Sequence, residues 1–151
     1  MNWEAIGAIG EIIGALAVFL TLAYLAVQIR QNTNAVRAAA LDASVNSVTG
    51  IRAKIFSDAA LMEIYLKGLA NQEDLNEIDK ARFIQMMQNI LWAQWNVYSQ
   101  ARFAGLSSDV WKSQMFVINR VFSSPGGKWF LCNYKNEFPD SFINELNNFL
   151  E

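Results

Sequence analysis

The sequence predicts an all-α protein: an N-terminal transmembrane helix continuing into a long stalk helix, followed by a cytoplasmic helical bundle domain. Residues 12–29, IIGALAVFLTLAYLAVQI, form a run of eighteen without a charged side chain. As a helix that run spans roughly 27 Å, close to the ~30 Å hydrocarbon core of a bilayer. Beyond Arg30 the apolar residues recur at helical spacing, and no strand alternation or hairpin signal interrupts them. The expected divisions are 1–29 for the transmembrane helix, 30–56 for the stalk and 57–151 for the helical domain.

A secretory signal is the competing reading of an N-terminal apolar run, and it requires a basic leader and a small-residue cleavage site. The flank here is MNWEAIGAIGE, acidic rather than basic, and no A-x-A follows. A buried soluble helix is the other rival, but such a helix rarely stays uncharged on all faces for so long. All twelve Lys and Arg residues follow the run, beginning with Arg30 and Arg37. The positive-inside rule then places the N-terminus outside and the large domain in the cytoplasm of the cell. Trp3 suits the outer interface, where an indole can be half wet.

Side-chain size is unevenly distributed around this helix. At ~100° per residue, Gly7, Glu11, Gly14, Val18, Thr21, Leu25 and Gln28 share one stripe, with Gly10 at its edge. Ile9, Ile12, Leu16, Phe19, Leu20, Ala23 and Val27 lie opposite. Lipid has no preference for glycine, whereas a neighbouring helix does, because small residues allow close backbone approach. The seven-residue spacing of Gly7, Gly14, Thr21 and Gln28 suits a shallow left-handed crossing. The narrow stripe is therefore the expected association seam. Glu11 lies on it, and in a ring of helices Glu11, Thr21 and Gln28 would line an ion path. The plainer alternative puts Glu11 in the outer headgroup region, favoured by the helix N-terminus.

The helix is expected to run on to about Phe56, since no proline breaks the stretch. Leu41, Val45, Val48 and Ile55 mark an apolar stripe along it, and Ala39, Ala43, Asn46, Gly50 and Ala53 a small one. A short helix from Asp58 to Ala70 should turn Leu61, Ile64, Tyr65 and Leu69 inward. NQEDLN is a polar loop. Asn76 and Asp79 have capping-box spacing ahead of a helix that runs to Ala104, with Gly105 at its C′ position. Its core stripe is Phe83, Met87, Ile90, Leu91, Tyr98 and Ala101, widened by Trp92 and Trp95. Ser107 or Ser108 starts the next helix, through Val121, with Trp111, Met115, Ile118 and Phe122 inward. SSPGGK imitates a phosphate loop but lacks its first glycine, a Ser or Thr after the lysine, and a preceding strand. Ser124 as N-cap with Pro125 in the first turn explains it more simply, opening a helix to about Asn136. Pro139 then opens a last helix with Phe142, Leu146, Phe149 and Leu150 on its apolar side.

Composition excludes much chemistry. The chain has no histidine and a single cysteine, which removes most zinc, haem and iron–sulfur sites, His-dependent nucleophile pairs and any intrachain disulfide. Cys132, in WFLCNY, reads as a buried small apolar residue. After the apolar run the charges balance, so there is no basic footprint for nucleic acid. Glu63, Glu73, Asp74, Glu77 and Asp79 form the one acidic cluster, in a setting that reads as a solvated loop and helix start. No catalytic residue, metal or cofactor is expected.

WEAIGAIGEIIGALAVFLTLAYLAVQIRQNT, LMEIYLKGLANQEDLNEIDKARF, GLSSDVW, SSPGGKWF and FPDSFINEL together resemble a widespread group of small bacterial membrane proteins of unknown function. The resemblance runs along nearly the whole chain and is most specific in the N-terminal block. It implies a bacterial inner-membrane protein with a helical domain, and it transfers no activity or site. The expected function is that of a single-pass membrane homo-oligomer whose helical domain serves assembly or interaction, with the bilayer and further copies of itself as partners. The alternatives are an oligomeric ion channel and an accessory subunit of a larger membrane complex.

Overall fold

The structure, a computed structural model, describes residues 2–103 and 107–150, and every regular element among them is helical. Six α-helices follow in order: α1 Trp3–Ser57, α2 Ala59–Ala70, α3 Glu77–Phe103, α4 Ser108–Phe122, α5 Pro125–Tyr134 and α6 Asp140–Leu150. The chain divides into two compact units, residues 1–38 and 39–151.

The first unit is the N-terminal part of α1. Its large apolar side chains from Trp3 to Ile29 are 44–71% exposed, on every side of the helix. Two threonine hydroxyls here are satisfied within the helix. The Thr21 hydroxyl donates to the Ala17 carbonyl at 2.8 Å, and Thr33 does the same to Ile29 at 2.9 Å. Among the described residues, α1 is the one helix long and apolar enough to cross a membrane.

The second unit has its own core. The end of α1 contributes one face to it: Ser44, Val48 and Ile55 are buried, spaced to share a side of the helix. Leu41 and Val45, read as part of that apolar stripe, stay exposed, as do the small residues Ala39, Ala43, Asn46, Gly50 and Ala53. Local chemistry sets the starts of α2, α3, α4 and α5. The Asp58 carboxylate accepts from the amides of Ala60 and Leu61 at 2.8 and 3.2 Å. Asn76 and Asp79 form a reciprocal box, with Asp79 N donating to Asn76 Oδ1 at 2.9 Å and Asn76 Nδ2 to Asp79 Oδ2 at 2.8 Å. Ser107 caps α4, and Ser124 caps α5 by accepting from Gly127 N at 3.1 Å. The loop expected at NQEDLN contains a 3-10 turn, Gln72–Asp74, and Gln72 is buried. The positions read as the end and C′ of α3, Ala104 and Gly105, lie outside the described residues.

The core follows most of the expected stripes, but Phe149, expected on the apolar side of the last helix, is exposed, and Ile143 is buried with Phe142 and Leu146. Phe83, Met87, Leu91 and Tyr98 of α3 meet Trp111, Met115, Ile118 and Phe122 of α4, with Phe130 of α5 and Phe142 and Leu146 of α6. Tyr98, Trp111 and Phe142 form an aromatic cluster with ring centroids 5.2–5.9 Å apart, tying α3, α4 and α6 together. Cys132 is a correction: it is exposed. Phe130 faces the core, and a residue two positions on is turned by ~200°, which carries Cys132 to the solvent side of α5. Trp92, read as widening the α3 core stripe, is 44% exposed and leans on Phe138 with centroids 4.9 Å apart.

Two glycines permit the closest helix contact. A Cβ on Gly126 would collide with the Gly68 carbonyl, so α5 crosses α2 backbone to backbone. A Cβ on Gly68 would collide with the buried Phe83 ring of α3. The glycines of SSPGGK therefore serve packing rather than phosphate. Gly126→Ala should destabilise the domain by roughly 1–3 kcal/mol or more, since backbone must move. Gly50→Ala, on an exposed helix face with open space, should be neutral or stabilising by up to about 1 kcal/mol. Chemical denaturation followed by tryptophan fluorescence distinguishes the two.

Candidate functional site

Gly7, Gly10, Glu11, Gly14, Val18, Thr21, Leu25 and Gln28 are all exposed, on a helix that nothing else in the first unit covers. A Cβ on Gly7, Gly10 or Gly14 would meet nothing within 4 Å. Helical continuity places these residues along one stripe as the sequence implies, and among the described residues of this unit no other element lies against them. A mid-helix glycine lowers helix stability by ~1 kcal/mol relative to alanine, and no intrachain contact here offsets that.

The acidic cluster resolves into local pairs. Glu63 Oε1 lies 2.7 Å from Lys67 Nζ, one helical turn on, and Glu73 Oε1 lies 3.1 Å from Lys80 Nζ. The hydrogen bond and charge of Lys67 lower the Glu63 pKa, and Lys80 chiefly does the same for Glu73. Asp79 caps α3 and lies 3.3 Å from Arg82. Asp74 Oδ1 accepts from Asn71 Nδ2 at 3.0 Å, and Glu77 lies in the first turn of α3. Among the described residues no group of three or more His, Cys, Asp and Glu is placed to hold a metal ion.

A different feature converges within the helical domain. A cavity of about 60 Å³ is walled by Val48, Ile51 and Ile55 of α1, Ile90 and Ala93 of α3 and Val117 and Val121 of α4. The lining also includes Arg52 of α1, Tyr65 of α2, Gln94 of α3 and Arg120 of α4. Both arginines are exposed, whereas Gln94 is 2% exposed. The Gln94 Oε1 meets no hydrogen-bond donor among the described residues. Neither arginine forms an ion pair among them, and the Arg52 guanidinium lies 5.9 Å from the Phe56 ring centroid.

Sequence reading missed this site, although a signal was present. Gln94 falls on the line of Met87, Leu91 and Tyr98, so it is a polar residue at a core position. Arg120 carried no comparable mark, because its relation to Arg52 depends on how α4 packs near α1.

Comparison with protein-family models, with curated proteins and with solved structures finds no match to this chain.

Tyr65 offers a direct probe of the cavity. Burial raises its pKa above the ordinary 10.0, opposed by the positive charges of Arg120 and Arg52. The folded domain therefore holds this proton to higher pH than the unfolded chain does. Stability should fall as pH rises above the ordinary tyrosine range and through the folded value. Tyr65→Phe should remove that part of the alkaline loss in denaturation curves; an unchanged alkaline slope would contradict it.

Proposed function

We propose that this chain is a single-pass protein of the bacterial inner membrane that self-associates through the narrow face of α1 and displays its helical domain in the cytoplasm. The observation that carries this reading is the charge-free stretch at Ile12–Ile29, exposed on all sides of its helix. Ten of its side chains are Leu, Ile, Val or Phe. At roughly 0.3–0.6 kcal/mol each near a helix centre, they favour insertion by about 3–6 kcal/mol. The helical backbone satisfies its own hydrogen bonds, as a bilayer demands, and Thr21 satisfies its hydroxyl in the same way.

Self-association draws on the glycines. A Cβ on Gly7, Gly10 or Gly14 would meet nothing within 4 Å among the described residues, and lipid gains nothing from the glycines. A second copy of the helix supplies close backbone contact along that face. Orientation draws on the basic residues that all follow the span, and the bacterial setting rests on the family resemblance alone.

Cys132 provides a topology test without mutagenesis, because it is the sole cysteine and is exposed. A membrane-impermeant maleimide should label it in inverted inner-membrane vesicles and leave it unlabelled in intact spheroplasts; the opposite pattern reverses the orientation. For assembly, Gly14→Leu should reduce the oligomer to monomer in native mass spectrometry from detergent, while Leu16→Ala on the broad face leaves it intact. An unchanged mass for Gly14→Leu rules out the seam. Stoichiometric co-purification of a foreign protein would point instead to an accessory subunit.

A further inference from the structure

We propose that α1 pairs with α1 of a second copy beyond the membrane span as well as within it, forming a parallel two-stranded coiled coil in which Asn32 and Asn46 face their counterparts across the axis. The pairing rests on the membrane reading above and deepens it: copies inserted in the same orientation can only lie parallel.

A hollow on the surface of α1, just past the charge-free stretch, is lined by Gln28, Ile29, Gln31, Asn32 and Ala35. All five are exposed, and among the described residues of this unit no other element lies against them. Gln28, Gln31, Asn32 and Ala35 stand at i, i+3, i+4 and i+7. That diamond is the hole which receives one side chain of a facing helix in knobs-into-holes packing. Sequence register names the side chain that enters. Gln28, Ala35, Asp42 and Thr49 continue the seven-residue spacing of Gly14 and Thr21, and Asn32, Ala39, Asn46 and Ala53 form a second line four residues on. Alternating steps of four and three define the d and a positions of a heptad. A hole built from d, g, a and d accepts the a residue of an in-register parallel partner, which is the second copy's own Asn32.

Charge follows the same register. Arg30 and Arg37 are the two charged residues between Ile29 and Ala38, and both fall at f, turned by about 180–200° from Gln28. In the second unit, taken by itself, the buried α1 residues Ser44, Val48 and Ile55 occupy f and c, whereas Ala39, Asp42, Asn46, Thr49 and Ala53 are exposed. The domain covers one side of its part of α1, and the a and d side stays open to a partner. The flanking g and e pairs would be Gln31 with Val36, Ala38 with Ala43, and Val45 with Gly50, so no like charges oppose one another there.

Asparagine at a sets copy number and alignment. Its amide loses water in a helix seam, and an identical amide opposite restores the hydrogen bond only when two strands lie in register. Asp42 is the discordant d residue. Its carboxylate accepts from Asn46 Nδ2 at 3.1 Å within the chain, and pairing would bring two such carboxylates together.

The test is disulfide trapping of the full chain in membranes on a Cys132→Ser background. Under mild oxidation, Asn32→Cys and Ala39→Cys should each trap about fivefold more dimer than Arg37→Cys at the outward f position. Equal trapping at Asn32→Cys and Arg37→Cys indicates random collision and overturns the proposal. Trapping at Thr21→Cys without trapping at Asn32→Cys or Ala39→Cys also overturns it, while leaving association within the membrane standing. No trapping at any of the three overturns both. Native mass spectrometry from detergent should give the mass of two chains, and a larger assembly overturns the two-stranded arrangement. Asp42→Asn should raise the dimer fraction on dilution; an unchanged or lower fraction overturns the in-register alignment.

Discussion

The helical domain is organised around a place where side chains are absent. At Gly68 the backbone of α2 lies directly against α5 through Gly126, while the Phe83 ring of α3 covers the other side. Interiors pack at crystal-like density, so this close approach dictates where the neighbouring side chains can go. Phe83 is fully buried there, and the equally buried Phe122 and Phe130 rings of α4 and α5 lie 6.3 Å apart. Ser124 and Pro125 define where α5 begins, which brings Gly126 to the crossing at the correct height. Displacing α5 by even a methyl group would disturb α3 and α4 together. The cavity, with walls from both of those helices, would be disturbed with them.

The two units solve the problem of apolar surface differently. In residues 39–151 the apolar stripes face one another and exclude water, with capped helix ends satisfying the backbone. In residues 1–38 the large apolar side chains from Trp3 to Val36 are exposed among the described residues. The bilayer and self-association proposed above would supply cover from outside, so the unit gains its environment through its surroundings rather than its fold. The same helix, α1, serves both solutions, because its sequence changes from all-round apolar to one-sided between Ile29 and Ser44.

Much of the helical domain was legible because helix ends carry local chemistry. Asp58, Asn76, Ser107 and Ser124 are caps whose partners lie within a few residues, so sequence spacing alone locates them. Core stripes were legible for a similar reason, since Phe83, Met87 and Leu91 recur at one turn. Errors arose where an apolar residue had no stripe to join. Cys132 has apolar neighbours in sequence but lies opposite Phe130 on its helix, and so it is exposed. Leu41 shares the side of Val48 and Ile55 but lies only two residues inside the start of the domain at Ala39, and Val45 is turned by about 60° from Val48, so both stay exposed.

By itself the sequence determined the element order, the helix starts, the apolar span and the absence of histidine chemistry. Those properties depend on neighbours within one or two turns or on composition, and no folding is needed to evaluate them. Tertiary structure decided that Gly68 and Gly126 touch, that Cys132 faces outward, and that Arg52, Tyr65, Gln94 and Arg120 share one cavity. Each of those outcomes depends on the angle and height at which helices distant in sequence cross, and that geometry is set only when their side chains pack.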